Sequence, residues 1–270
     1  MKKKKDLLME IVFPLNNNKY YNTHYRYVLS IFNAFPDTNI VFEPVEYFIV
    51  GVNGKRCLFD YSDYFDIAGY NPRNFDYVFK FHKHYDVMYP DNVLPFPPIS
   101  FYNWDKYLYS SIQYAPNKAG ISMRQKSYGN ARERRNIVRD MLVKEFGSEV
   151  RTSILEQDLY FLEVEDIFLG VFVPGAQENM LDRGQFQYMA YGVPTISPMI
   201  PELLTYDIRF QDVEDYIACR NDYSDLIDII IEAKKQPEFM QQMGSNAMVK
   251  FLDTSTPINL YRYFKKIFGE

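Results

Sequence analysis

Apolar and polar positions fall into short blocks along this chain, and the period of each block predicts its element. Leu8 to Leu15 is an apolar run of the kind that forms a buried strand, closed by polar Asn16-Asn17-Asn18. Between Asn22 and Phe35 the apolar residues Tyr27, Val28, Ile31, Phe32 and Phe35 recur on one side of a helix, which completes a first strand-loop-helix unit. Asn39 to Val45 and Tyr47 to Val52 follow as strands. Asn53-Gly54 is a tight-turn dipeptide and Arg56 to Phe59 resumes extended structure, so a hairpin is expected there. Phe75 to Phe81 is a further buried strand. It leads into Pro90 to Pro98, where repeated prolines disfavour helix and predict an extended path over the surface.

Residues 100 to 118 are expected to link two domains. Beyond them strands and helices alternate: strand Gly120 to Met123, helix Asn130 to Phe146, strand Val150 to Ser153, helix Glu156 to Glu165, strand Phe168 to Val173, helix Asp182 to Tyr191, strand Val193 to Ser197. Such alternation predicts a parallel, doubly wound sheet. Asp222 to Lys235, Pro237 to Phe251 and Pro257 to Phe268 read as three closing helices. At 270 residues the chain exceeds one typical domain and fits two modest α/β domains, each large enough for its own core.

Composition adds exclusions. With 47% hydrophobic and 24% charged residues the chain is ordinary globular protein rather than disordered. No apolar run approaches the roughly 20 residues that cross a bilayer, and the segment after Lys2 to Lys5 is too short for a secretory signal. Cys57 and Cys219 are too far apart in sequence for a metal cluster or a disulfide framework, so a reducing cytoplasmic setting is the simplest expectation. A net charge of −5 disfavours nucleic acid as a partner, while leaving room for a local basic patch that holds one anionic ligand.

Two segments could carry chemistry. In Arg124 to Arg135, Asn130 is a candidate N-cap, and Arg132, Arg134 and Arg135 crowd the first helical turn. The helix dipole there disfavours each cation by about 0.3–1 kcal/mol, which a diphosphate would relieve. A solvated basic face, partly neutralised by Glu133 and Asp140, explains the same residues without a ligand. The other segment runs from Val171 to Ser197. Asp182 and Gln185 have capping-box spacing, Phe186, Met189 and Ala190 form an inward face, and Gly192 is placed to end the helix. This helix starts beyond the C-terminal end of a strand, where open parallel sheets bind ligands, so Glu178, Asn179, Arg183 and Gln187 are expected to face a crevice.

Arg183 to Pro194, which ends in Met189-Ala190-Tyr191-Gly192-Val193-Pro194, resembles the nucleotide-sugar signature of glycosyltransferases with the two-Rossmann-domain GT-B fold. In that family a carboxylate before the Ala-Met-Ala-x-Gly-x-Pro pattern grips the donor ribose, and an acidic residue eight positions upstream contacts the donor sugar. Here Gln187 stands at the ribose position, Asn179 at the upstream one, and Glu178 is beside it. Arg124 to Arg135 resembles the family's diphosphate-binding strand-loop-helix, Leu159-Tyr160-Phe161-Leu162 the helix before the donor strand, and Asp222 to Leu226 the segment after the site. The resemblance implies two facing Rossmann-like domains with a reduced N-terminal one: an acceptor-side domain over 1–117, a nucleotide-sugar domain over 118–252, and a helix over 253–270 packing back on the first. It also implies sugar transfer from a nucleotide diphosphate sugar, UDP or GDP based, to a carbohydrate or other hydroxyl, without metal or further cofactor. Arg124, Arg132 and Arg183 would hold the diphosphate, with the helix at Asp182 contributing its N-terminal dipole, Glu178 and Asn179 the sugar, and Gln187 the ribose.

The resemblance places the acceptor and its base in loops of the first domain, where the candidates are His24 and Asp60, with Asp63 and the pair His82 and His84 as alternatives. A structural role competes at each. His82 and His84 share a face of an extended segment, which is also a metal-ligand spacing, but no third ligand is fixed nearby. The 24 tyrosines and 22 phenylalanines suit sugar stacking only where exposed, and otherwise fill cores. Rival readings are a sugar-nucleotide epimerase or hydrolase, and a non-catalytic nucleotide-sugar-binding module.

Overall fold

The computed structural model describes residues 9–15, 22–44, 49–64, 66–67, 69–98, 119–156, 159, 164–175 and 177–269. The expected linker over 100–118 and most of the expected helix from Glu156 to Glu165 lie outside the described residues. The chain divides into two compact units, one of residues 1–102, 203–208 and 254–270, the other of 103–202 and 209–253. No helix among the described residues is long and apolar enough to cross a membrane.

In the first unit β1 (Met9–Pro14), α1 (Asn22–Asn33) and β2 (Thr38–Glu43) form a parallel strand-helix-strand unit, with Met9 opposite Thr38. β3 (Ile49–Val52) and β4 (Lys55–Asp60) make the antiparallel hairpin signalled by Asn53-Gly54, whose φ values of 48° and 75° suit the primed turn that matches strand twist. β5 (Tyr77–Lys80) and β6 (Val93–Pro95) complete a six-stranded sheet of order β2-β1-β3-β4-β5-β6, in which β3 alone runs against the others. The sheet is therefore mixed. The proline-rich stretch does not run over the surface as expected: β6 pairs with β5 as an edge strand, where a proline removes no ladder bond, and Val93 and Phe96 are buried.

Alternation along β4 and β5 feeds two cores. Phe59 and Phe79 point to the main one, with Phe13, Phe32 and Phe96; Leu58 and Val78 point to a smaller one with Ile49, Phe75 and Val93. The last helix, α6 in chain order (Pro257–Phe268), packs into the main core. Its Phe264 stacks on Phe32 at 5.1 Å and on Phe96 at 5.7 Å, and Tyr261 stacks on Phe35 at 3.9 Å. Each such pair contributes about 0.5–1.5 kcal/mol beyond its buried area. Here the aromatics fill core.

In the second unit β7 (Gly120–Ser122), β8 (Val150–Arg151), β9 (Ile167–Val171), β10 (Thr195–Ser197) and β11 (Ile217–Ala218) form an all-parallel sheet of order β11-β10-β9-β7-β8. The chain builds outward from β7 to β8 and then returns to β9 on the other side, so strand order reverses between β7 and β9. Between the strands lie α2 (Arg132–Phe146) and α3 (Arg183–Ala190), followed by α4 (Leu226–Lys234) and α5 (Pro237–Ser255). Asn130 is not the N-cap of α2: Gly129, at φ 57°, starts a 3-10 turn, and Ala131 precedes the helix with no side-chain cap. The capping box on α3 is half formed. Asp182 accepts the Gly184 N–H at 2.8 Å, but Gln185 turns inward and donates to Thr195 Oγ1 and Ser197 Oγ at 3.1 and 2.8 Å.

The turn before β11 contains Val213 at φ 68°, a left-handed conformation that a β-branched residue adopts only under constraint. Its N–H donates to the Tyr216 carbonyl, and Asp215 N–H to the Gln211 carbonyl, which fixes the turn, while the Val213 side chain is exposed. Val213→Gly is therefore expected to raise stability by about 1 kcal/mol, read as a higher urea midpoint; a lower midpoint would refute the strain.

Candidate functional site

Open parallel sheets offer a crevice beyond the strand ends where their order reverses. In the second unit that point lies past β7 and β9, and its walls are the loop 123–128 and the loop 172–182. Gln125 reaches from the first loop to Val173 in the second, donating Nε2 to the carbonyl at 3.0 Å and accepting the N–H at 2.6 Å on Oε1. Arg139 of α2 holds the first loop through the Gln125 carbonyl at 2.6 Å and Ser127 Oγ at 3.0 Å.

Arg135, a turn earlier on α2, is 4% exposed and lies on the buried face with Val138 and Leu142. Its guanidinium donates to the Val173 carbonyl from Nε and Nη2, to the Lys126 carbonyl from Nη1 at 2.7 Å, and to Asp182 Oδ2 at 3.1 Å. Burial pushes the Asp182 carboxyl above the usual aspartate range; Arg135, the Gly184 N–H and Arg183 oppose it in part.

The expected diphosphate and sugar residues differ in exposure and in partners. Arg132 is exposed at the start of α2 and lines an open groove of about 450 Å³ with Gly129, Asn130, Glu133, Asn136, Ile137 and Asp140. Arg183 is exposed on the first turn of α3. Arg124 is drawn to the Ser153 carbonyl at 2.7 Å. Glu178, largely exposed, sits 3.6 Å from Arg134, and Asn179 is half-buried with an Oδ1 that has no hydrogen-bond partner among the described residues. Gln187 is half-buried on α3. Asp182 is a helix cap and ion-pair partner rather than an open ligand.

Sequence reasoning placed Arg135 with its exposed neighbours and gave Gln125 no role. The clue was available: Arg135, Val138 and Leu142 share one face of the helix, and an arginine on an apolar stripe needs buried acceptors.

In the first unit Asp60 corrects an expectation. It is not a base open to an acceptor: it is buried, Oδ2 accepts from Lys80 Nζ at 2.9 Å, and Oδ1 accepts the Ser62 N–H at 3.0 Å. His24 is half-buried on the first turn of α1, its ring 5.0 Å from that of Tyr61 and 6.1 Å from that of Phe81. After β5, His82 sits at φ 55° with Nε2 3.6 Å from Asp63 Oδ1, and His84 Nδ1 is 3.9 Å from Asp86. No group of three or more His, Cys, Asp or Glu among the described residues is placed to hold a metal ion. Both cysteines are free and buried, and burial pushes their thiols up, Cys219 to about 12.

Fold and geometry thus define an α/β protein whose second unit carries a Rossmann-like parallel sheet with a wired reversal point. No protein family's sequence profile matches the chain, and no curated protein matches it in sequence. Among solved structures it is similar to that of HepE from Anabaena in complex with UDP, with a TM-score of 0.41 and 11% identity over 60% of this chain and 44% of that one. The chain therefore spans less than half the length of that protein.

Proposed function

We propose that this chain transfers a sugar from a nucleotide diphosphate sugar to an acceptor hydroxyl, with the donor at the reversal point of the second sheet. The observation that carries the reading is the juxtaposition there of the α3 N-terminus and exposed Arg183, beside an α2 whose first turn has no side-chain cap and opens on Arg132. A diphosphate suits such a place because guanidinium forks match its oxygens and a first helical turn without a side-chain cap favours its charge. Arg132 and Arg183, with Arg124 if it leaves Ser153, would take the charge that departs with the nucleotide, Glu178 and Asn179 the sugar, and Gln187 the ribose. The first unit would hold the acceptor, with His24 as base, since both oxygens of Asp60 are engaged.

A non-catalytic nucleotide-sugar-binding module is favoured by the same Asp60 pairing and by Gln187, which can hydrogen-bond a ribose but without charge assistance. Titration with UDP, GDP, CMP and dTDP tests the shared premise. A nucleotide at a hundred times its dissociation constant is expected to stabilise the protein by about 2.7 kcal/mol. Arg183→Ala should remove most of that shift while leaving the unliganded midpoint nearly unchanged; an unaltered shift rules Arg183 out. Binding without turnover across an acceptor panel would select the second reading.

A further inference from the structure

Val173, two residues past the end of β9, has both main-chain polar groups bound by side chains. The Gln125 amide takes its N–H and its carbonyl together, as a neighbouring strand would, and so extends the β7–β9 pairing beyond both strand ends. Arg135 adds the Val173 and Lys126 carbonyls and Asp182, using four of the five N–H donors of a guanidinium. Asp182 in turn caps α3 with its other oxygen. One buried side chain thereby joins the loop after β7, the loop after β9 and the first turn of α3.

We propose that Arg135 is a positioning residue that sets the α3 N-terminus and the loop 173–182 for nucleotide binding, acting through Asp182 and Val173 rather than touching the ligand. This rests on the reading of the reversal point as a nucleotide site. Three segments are held at fixed angles only because the guanidinium is planar and forked. A lysine offers three donors on a single atom and cannot span the same acceptors.

Hydrogen exchange and UDP titration on the full chain test this together, using Arg135→Met, Arg135→Lys, Asp182→Ser and the double variant R135K/D182S. Serine keeps a cap for α3 but loses the ion pair. In every variant that folds, exchange should speed up over residues 123–128 and 173–186 while β1 to β6 stay protected. UDP affinity should fall about tenfold or more in each single variant, because a small misplacement of binding groups is enough for that. The double variant should lose no more than the worse single one, since both act on one connection.

Unchanged exchange in the variants removes the clamp. Faster local exchange with wild-type UDP affinity, or losses that multiply in the double variant, removes the positioning role while leaving the nucleotide site intact. Absence of UDP, GDP, CMP and dTDP binding to the wild-type protein overturns the nucleotide reading and the positioning role with it, and is told apart by needing no variant. Arg135→Lys and Asp182→Ser carry the test if Arg135→Met does not fold.

Discussion

Asp60→Ala is expected to destabilise the first unit by about 3–5 kcal/mol, because it leaves a buried ammonium without its partner. Lys80 Nζ is fully buried 2.9 Å from Asp60 Oδ2, and the parallel register of β4 and β5 places the two residues directly opposite. A loss of that size is a large share of the roughly 5–15 kcal/mol that holds a typical domain together, so the urea midpoint should fall steeply. The double variant Asp60→Leu with Lys80→Met should recover most of the loss, since well-packed apolar pairs commonly replace buried ion pairs without penalty. The alternative role of Asp60 gives the opposite pattern. A catalytic base would lose turnover in Asp60→Asn with little change in midpoint, and that result would rule out a purely structural Asp60.

Gly244→Ala is expected to cost about 3 kcal/mol or more in the second unit. A Cβ at position 244 on α5 would overlap the Gly192 carbonyl oxygen and lie 2.8 Å from its carbon and 3.2 Å from Pro194 Cδ. Gly192 cannot retreat easily: it sits at φ 69°, ends α3 through its N–H to Met189, and leads directly into β10. The neighbouring Ser245→Ala, at a half-buried position that loses only a bond to the Gln241 carbonyl of its own helix, should change stability by no more than about 0.5 kcal/mol. Equal midpoints for the two variants would show that the helix and the strand approach can separate at little cost.

Much of the architecture was legible because its signals are local. Asn53-Gly54 had to be a turn, since both residues tolerate positive φ, and the Asp182 cap was visible before a helix with an apolar stripe. The strand-helix alternation after residue 119 gave the parallel sheet without any long-range information. What was not legible depended on register or on a single backbone angle. Asp60 read as a base near a loop because its partner lies twenty residues away and meets it only through the β4–β5 pairing. Gly129 adopted a positive φ, so α2 began two residues after Asn130, with Arg135 turned inward to the loops it connects. β6 hid within prolines because an edge strand tolerates them where a central strand does not. The segments that border the reversal point were therefore legible, while the division between side chains exposed there and side chains that hold its walls was not.

The first unit's core is closed by a helix encoded far from its strands. β6 ends at residue 95 and α6 begins at 257, an interval on the order of 160 residues, which takes roughly 8 to 30 seconds to synthesise at about 5–20 residues per second. Throughout that interval Phe32, Phe79 and Phe96 lack the Phe264 ring that covers them in the finished protein. The first sheet thus leaves the ribosome with one aromatic face uncovered, and that face stays open to solvent or to a shielding partner until Phe264 is made.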